Sequence, residues 1–382
     1  VALIAPLLMG FQNFDDHSRR HHKGSRDYAS NFLNSCAENA IIFTYGDNDT
    51  YPLWYAQEIE GIRTDVRVVN LSLIAVDWYI DQLRRKVNNS PAIKMSIPAA
   101  KMYGRKRTQL PIDIRGEYKD RPMSLSYNLK FVGEENPIPL QNGKALDSWW
   151  PSRNVYIDVN KQKAIANGIV NAADADKMVD RMSFNITNAG QSYLFKGDVA
   201  LLDIINSNIF DRPVYFAVTC RPESLHGLDP YLELEGLALR VVPIKSKGRP
   251  EYQMVGKGRM DTETYYNNVM TKFKWGNFDK QKLYVDRSYG PSVQTIKVTM
   301  MRGAQELLEE GKKDKAVALV DKYFEAFPHM NFPFDGNTMI FVRVYMQAGQ
   351  YEKAKPVLQQ LAAETADYLR FMMEDLTSEE LQ

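Results

Sequence analysis

A short polar loop, residues 46–50 (Gly-Asp-Asn-Asp-Thr), carries the residue types in this sequence that are best suited to chemistry. Asp47 and Asp49 form an Asp-x-Asp pair, and Asn48 and Thr50 add two further oxygen-bearing side chains. Oxygen ligands suit hard divalent cations such as Mg²⁺ or Mn²⁺. The spacing therefore predicts a ligand-binding loop in which Asp47 and Asp49 hold a divalent cation.

The same pattern has a second interpretation. Nucleotide-sugar glycosyltransferases use an Asp-x-Asp pair to hold a cation, but Asp, Asn and Thr side chains also cap helices and close turns. Because the pattern is short, we favour capping by residues 47–50, keep Asp47 and Asp49 as candidate metal ligands, and assign no catalytic residue.

A second group of potential metal ligands lies near the start of the chain. His17 and His21 are four residues apart and would share one face of a helix. With Asp15 or Asp16 they would complete a metal site. The alternative is a solvated connector, since runs of charged and histidine residues are usually exposed.

Trp149, Trp150 and Arg153 bring aromatic rings and a cation together in the middle of the chain. Sugars stack on aromatic platforms of this kind. Large aromatic side chains in a hydrophobic core give the same pattern in sequence, and we favour the core interpretation.

Two cysteines, Cys36 and Cys220, are present, and neither belongs to a CxxC pair. We expect two separate buried thiols, because free cysteine behaves as a small hydrophobic residue. A disulfide in an oxidising compartment remains the alternative.

Charge and motifs exclude several classes of function. Lys plus Arg number 48 and Asp plus Glu number 47, a balance that argues against nucleic-acid binding, which needs a clear local excess of positive charge. The sequence also lacks GxSxG, HExxH, GxxxxGK[ST] and GxGxxG motifs.

Apolar runs and turn residues predict a βαβα unit around the polar loop. We expect strands at 40–45 and 66–73, with helices at 52–60 and 76–87. Strands joined in this way are parallel, and open α/β sheets bind ligands beyond the carboxyl ends of their strands. The unit would therefore place residues 46–50 where such sheets bind ligands.

The remaining patterns extend this unit into a larger domain. Further strands are expected at 154–159, 182–187, 213–219 and within 232–243, with helices at 124–132, 161–167 and 198–206. Together they predict an α/β fold with a Rossmann-like mixed sheet and flanking helices.

The end of the chain has a different character. Residues 311–316 (GKKDKA) recur as residues 349–354 (GQYEKA), which places the second copy 38 residues later (349 minus 311). Each copy has Gly where two antiparallel helices would turn and Ala where they would touch. This predicts an all-α, tetratricopeptide-like helical-repeat tail, with unrelated helical hairpins as the alternative.

These patterns divide the chain into four segments. We expect the remnant of a last transmembrane helix at 1–13, the α/β domain at 14–250, a connecting segment at 251–292 and the helical repeats at 293–382. The apolar residues 1–11 have an equally good interpretation as a buried first element of the domain.

Several longer runs together resemble a known family. They are residues 15–17, 43–73, 77–86, 199–219 and 231–243. They are similar to the C-terminal soluble part of a bacterial family of large multi-pass membrane proteins of unknown function, related to a eukaryotic transmembrane protein O-mannosyltransferase. The resemblance implies an inner-membrane protein of which this portion is periplasmic. It also implies a membrane-embedded part of the same polypeptide that carries the catalytic carboxylate and uses a lipid-linked sugar donor.

On this basis we expect a non-catalytic accessory domain that recognises a protein or peptide acceptor through its helical repeats. One alternative is an enzyme that processes sugars or phosphates with a metal at Asp47 and Asp49. The other is an envelope scaffold that binds protein partners through the repeats alone.

Overall fold

The computed structural model describes residues 3–113, 116, 118, 121–139, 145–187 and 191–375, without the side chains of residues 15, 16, 374 and 375. The chain forms two compact units, one made of residues 28–273 and the other of residues 1–27 and 274–382. The larger unit is a mixed α/β fold, and the other unit holds the helical C-terminal region.

The α-helices are distributed over both units. In chain order they are α1 Ile4–Gln12, α2 Phe14–His17, α3 Gly24–Ser35, α4 Asp47–Glu58, α5 Asp77–Leu83, α6 Ala99–Met102, α7 Leu125–Gly133, α8 Lys161–Ala166, α9 Lys196–Asn208, α10 Thr262–Asn267, α11 Gly290–Glu309, α12 Lys313–Ala326, α13 Thr338–Gln347 and α14 Tyr351–Asp375.

The strands all belong to the larger unit. They are β1 Ile41–Thr44, β2 Arg67–Asn70, β3 Gln109–Pro111, β4 Met123–Ser124, β5 Ile138–Pro139, β6 Ala145–Leu146, β7 Asn154–Asp158, β8 Arg181–Asn185, β9 Tyr193–Phe195, β10 Val214–Ala217, β11 Leu232–Leu234, β12 Ala238–Val241 and β13 Arg259–Met260.

A six-stranded mixed sheet in the order β13-β11-β12-β10-β1-β2 forms the centre of the larger unit. β1 lies between β10 and β2 and is parallel to both, while β12 is antiparallel to β10 and to β11. Every residue of β1 and β10 is buried, as expected for parallel strands covered on both faces. The prediction of an α/β fold with a mixed sheet is confirmed.

The βαβα unit around β1 differs from the prediction at two helix ends. α4 begins at Asp47, before Pro52, because the polar loop itself forms the first helical turn. α5 ends at Leu83, not near 87, because Val87 and Ser90 pair their backbones in a tight turn.

A buried carboxylate ties a loop to the central helix α9. Asp203 is fully buried, and its Oδ1 accepts hydrogen bonds from the Ser96 N–H (2.8 Å), the Ser96 hydroxyl (2.6 Å) and the Ser207 hydroxyl (3.0 Å). Its Oδ2 accepts from the Ile97 N–H at 3.0 Å. One side chain thus satisfies two backbone N–H groups of an irregular segment that is anchored in the core by Ile93 and Ile97.

Helical hairpins build the C-terminal part of the other unit. Gly311 turns the chain between α11 and α12, and Gly349 turns it between α13 and α14, with φ values of +77° and +78° that favour glycine. Ala316 and Ala354, five residues after each glycine, are fully buried. α12 and α13 contact each other through the stacked rings of Tyr323 and Phe341, whose centroids are 3.7 Å apart.

The helix α1 is apolar, and every one of its side chains is exposed within its unit. Over the residues that the structure covers, no helix combines the length and the apolar character needed to cross a bilayer.

Candidate functional site

The polar loop at 46–50 lies beyond the carboxyl end of β1. Gly46 has φ +76° and leads directly into the first turn of α4, where Thr50 is buried. The Thr50 hydroxyl donates to the Gly46 carbonyl at 2.7 Å and lies 2.8 Å from the Thr44 hydroxyl. Thr50 therefore fixes the strand-to-helix turn, while Asn48 is exposed.

Asp47 and Asp49 stand in different surroundings. Asp47 is exposed beside the Tyr51 hydroxyl, and its charge raises the pKa of Tyr51. Asp49 is partly buried, and burial raises the pKa of its carboxyl group against the opposing influence of Thr219 and the Tyr45 backbone. Residues two apart on a helix do not face each other, so the geometry points these carboxylates apart. Two acidic residues in a first helical turn also interact favourably with the helix dipole.

Residues of the loop after β10 lie against the carboxyl end of β1. The buried Cys220 thiol lies 3.3 Å from the Phe43 carbonyl, and burial raises the pKa of Cys220. The guanidinium of Arg221 lies over the Tyr45 ring, 4.5 Å from its centroid. Cys36 is also buried and free, so the expectation of two separate buried thiols is confirmed.

The second predicted group of metal ligands, at residues 15–17 and 21, does not lie on one helix. α2 ends at His17, whose Nδ1 lies 3.0 Å from the Asn13 carbonyl, so His21 does not continue the same helical face. His22 stacks on Tyr289 with ring centroids 5.6 Å apart. The predicted ligands Asp15 and Asp16 have side chains outside the described residues.

The aromatic pair belongs to the core. Trp149 and Trp150 are both buried, and the Trp150 indole N–H donates to the Ser152 carbonyl at 2.8 Å. Trp149 packs against Phe131. Neither ring is available for a sugar to stack on, which confirms the core interpretation.

A buried row of charged side chains crosses one face of the central sheet. Directly paired residues in adjacent strands share a face, and here Arg259 of β13 pairs with Glu233 of β11, Glu233 with Arg240 of β12, and Arg240 with Tyr215 of β10. Arg259 Nε lies 2.5 Å from Glu233 Oε2. The row thus alternates positive, negative and positive over β13, β11 and β12, and it ends at the tyrosine on β10.

Glu235, two residues after Glu233, joins the same network. Its Oε1 lies 3.1 Å from Arg240 Nη1, and its Oε2 accepts a hydrogen bond from the Tyr215 hydroxyl at 2.6 Å. Burial, followed by the neighbouring charge of Glu235, raises the pKa of Glu233 to about 7. Because Glu233 and Glu235 are buried, the stability of their charged forms depends on the arginine and tyrosine side chains that contact them.

Glu233, Glu235 and Arg240 line a cleft of about 480 Å³, which we call the acidic cleft. Glu233, Glu235 and Asp261 offer carboxylate oxygens that lie within 4.8 Å of one another. No other group of three or more His, Cys, Asp or Glu residues in the described ranges is close enough to share a metal ion. The acidic cleft is thus the place in the larger unit where the structure assembles several carboxylates.

The sequence interpretation missed this cleft. Its signal was the alternation of polar and apolar residues at 232–235 (Leu-Glu-Leu-Glu), which places both glutamates on one face of a strand. That alternation usually marks a solvent-facing side. In this fold α10 and the end of α3 cover it, so the glutamates are buried.

A second unpredicted cleft, of about 370 Å³, lies beside the edge strand β2. Trp54 and Trp78 line it, together with the buried Arg67, whose Nη2 donates to the Leu83 carbonyl at 3.2 Å. Burial lowers the pKa of Arg67. The cleft therefore combines aromatic surface with a buried cation.

Most of the larger unit matches a known protein family. Residues 25–264 match the family model described as TMEM260-associated domain 2, which is more than half of the chain. The chain belongs to this family. The Asp47–Thr50 loop, the row of charges and Asp261 all lie inside the match, whereas His17 and α11–α14 lie outside it.

A curated relative agrees with the family assignment. The chain is 30% identical over 86 residues to a mouse protein named Protein O-mannosyl-transferase TMEM260. The matched stretch covers 22% of this chain and 12% of the relative, so it spans a small part of the mouse protein's length. No solved structure matches the chain.

Proposed function

We propose that this chain is the accessory, acceptor-recognising domain of a membrane glycosyltransferase-like protein, and that it is not itself catalytic. The observation that carries the proposal is the match of residues 25–264 to TMEM260-associated domain 2. The name of the mouse relative describes mannosyl transfer to protein oxygen atoms. We extend to this chain a part in protein O-glycosylation from a lipid-linked sugar.

The position of the domain is part of the proposal. We propose that it faces the periplasm of a bacterial cell and adjoins a membrane-embedded part of the same polypeptide. The apolar side chains of α1, such as Phe11 at 87% exposed, support a location of this helix at or in the membrane.

Two finer fold relationships belong to the same proposal. The parallel strands β10, β1 and β2, with α4 between β1 and β2, support a Rossmann-like larger unit. The matching glycine turns of the two hairpins support tetratricopeptide-like repeats in the tail.

A stripe on α13 is the surface we propose for the acceptor. Met339, Arg343 and Met346 are spaced four and three residues apart, so they share one helix face, and all three are exposed. Helical repeats commonly bind extended peptides on such faces. The stripe would contact an acceptor polypeptide through two flexible apolar side chains and one cation.

The competing enzymatic role rests on Asp47 and Asp49, and it is tested by replacing both with asparagine in the full-length protein. Because the two carboxylates point apart, we expect the rate of sugar transfer to an acceptor protein to stay within about threefold of wild type. A catalytic or metal-holding carboxylate normally contributes about 100-fold or more. A loss of that size in the double variant, with the fold intact by circular dichroism, would favour the enzymatic role.

A further inference from the structure

The acidic cleft contains an amide oxygen that lacks a hydrogen-bond partner. Asn268 is 2% exposed and lines the cleft beside Glu235, whose backbone carbonyl accepts a hydrogen bond from Asn268 Nδ2 at 2.5 Å. That bond fixes the orientation of the amide, because a carbonyl cannot accept from Oδ1. Among the residues that the structure describes, Asn268 Oδ1 has no partner.

An unpartnered buried oxygen is costly, and a donor or a cation would remove that cost. Asn268 Oδ1 is buried, with an accessible surface below 1 Å². Nearby, Glu233, Glu235 and Asp261 already bring their carboxylate oxygens within 4.8 Å of one another.

The distances suit a large, hard cation. Ca²⁺ binds oxygen ligands at about 2.3–2.6 Å, so two ligands on opposite sides of the ion are up to about 5 Å apart. Carboxylates and amide oxygens are its usual protein ligands, and its coordination geometry is flexible. Mg²⁺ demands near-ideal octahedral geometry at about 2.1 Å, which a cleft built from three different elements meets less readily.

The carboxylates around the cleft outnumber the guanidinium groups, which favours the binding of a cation. Glu233, Glu235, Asp261 and Asp174 face two guanidinium groups, those of Arg240 and Arg259, and Arg259 is shared between Glu233 and Asp174. Lys177 lies at the exposed surface with its Nζ 2.6 Å from Asp174 Oδ1, so it offsets Asp174, and Lys272 lines the cleft at the exposed surface. The three carboxylates that lie within 4.8 Å of one another thus face two guanidinium groups.

The existing hydrogen bonds are compatible with metal binding. A carboxylate has about four lone-pair sites, so an oxygen that accepts from an arginine or a tyrosine keeps capacity for a metal ion. Arg240, which also lines the cleft, and the Tyr215 hydroxyl contact the carboxylate of Glu235. The N–H groups of Glu263 and Thr264 donate to Asp261 Oδ1 at 3.1 and 3.0 Å, and the Thr264 hydroxyl donates to Asp261 Oδ2 at 2.6 Å. Such outer contacts orient ligating carboxylates in known metal sites.

We propose that the acidic cleft binds one Ca²⁺ ion through side-chain oxygens of Glu233, Glu235, Asp261 and Asn268. The ion joins β11 to α10 and to the π-helical turn Asn268–Lys272 that follows it. It thereby stabilises the edge of the sheet at β13. This site is independent of the proposed acceptor recognition and of the Asp47–Thr50 loop.

The test is isothermal titration of the chelator-treated full chain with CaCl₂ from about 10 µM to about 10 mM, a range that includes the dissociation constants of extracellular Ca²⁺ modules. We expect one site per chain, a rise in melting temperature with Ca²⁺, and weaker or no binding of Mg²⁺. Glu233→Gln should raise the dissociation constant at least about tenfold, since it removes one charged ligand. Asp158→Asn is the matched control, because this exposed carboxylate pairs with Arg181 away from the cleft, and its titration should equal wild type.

Asn268→Asp separates a metal site from a purely structural ion-pair network. A fourth carboxylate should tighten Ca²⁺ binding and make the melting temperature depend more strongly on Ca²⁺. In a structural network the added charge would lower the melting temperature with no response to Ca²⁺, and that result would overturn the proposal. Absence of heat and of thermal stabilisation at about 10 mM Ca²⁺ in the folded wild type would overturn it as well.

Discussion

Replacement of Arg240 by alanine is expected to lower the free energy of unfolding by about 3–5 kcal/mol, the usual cost of removing one partner from a buried ion pair. Arg240 is 9% exposed and lies 3.1 Å from Glu235, which is 3% exposed. Its loss leaves Glu235 charged, buried and without its cation. Urea denaturation followed by tryptophan fluorescence measures the effect.

Two controls show whether buried charge is the cause. Arg181→Ala also removes an arginine that lies on a β-strand and pairs with a carboxylate, but this pair is at the surface, where the Arg181 and Asp158 side chains are 53% and 65% exposed. We expect little or no change in the free energy of unfolding. Adding Glu235→Gln to Arg240→Ala should restore part of the lost stability, because the uncompensated charge disappears. Equal losses in Arg181→Ala and Arg240→Ala would contradict this account of the row of charges.

Replacement of Asp203 by alanine is expected to cost roughly 3 kcal/mol or more, since one buried donor and three partly buried donors lose their shared carboxylate acceptor together. The backbone N–H groups of Ser96 and Ile97 both donate to this carboxylate, and the side chain is fully buried. The segment at 96–97 should loosen first. Hydrogen exchange should therefore show faster exchange of these two amides than of the amides in β1.

A surface aspartate provides the comparison for Asp203. Asp158→Ala should leave both the unfolding free energy and the exchange at Ser96 close to wild type, because Asp158 is 65% exposed. Asp203→Asn keeps an acceptor but turns an amide N–H₂ toward donors, so an intermediate loss is expected. If Asp203→Ala behaved like Asp158→Ala, the proposed attachment of the loop to α9 would be wrong.

The central sheet was predictable because its strands are short apolar runs between polar turns. β1, β2 and β10 all lie inside the predicted ranges, and the recurrence of Gly311 as Gly349 located both turns of the helical tail. These features depend on local patterns, namely the apolar period of each element and the need for a positive φ at a turn.

The acidic cleft was not predictable because its parts lie far apart in sequence. Glu233, Arg240, Arg259 and Asn268 meet only when β11, β12, β13 and the turn after α10 assemble. The short Asp-x-Asp pattern at Asp47 and Asp49 directed attention to a different edge of the sheet. Their two-residue spacing separates the carboxylates once the loop adopts a helical turn, and sequence alone does not show where that turn begins.

The central claim is that this chain recognises an acceptor polypeptide and does not carry out the transfer. The most direct measurement is the steady-state kinetics of sugar transfer by the full-length protein bearing Arg343→Glu on α13, with Arg370→Glu on the exposed part of α14 as the charge-matched control. The account predicts a higher KM for the acceptor in Arg343→Glu, with kcat and the KM for the sugar donor unchanged, and no effect of Arg370→Glu. An unchanged acceptor KM, or a fall in kcat at saturating acceptor, would contradict it.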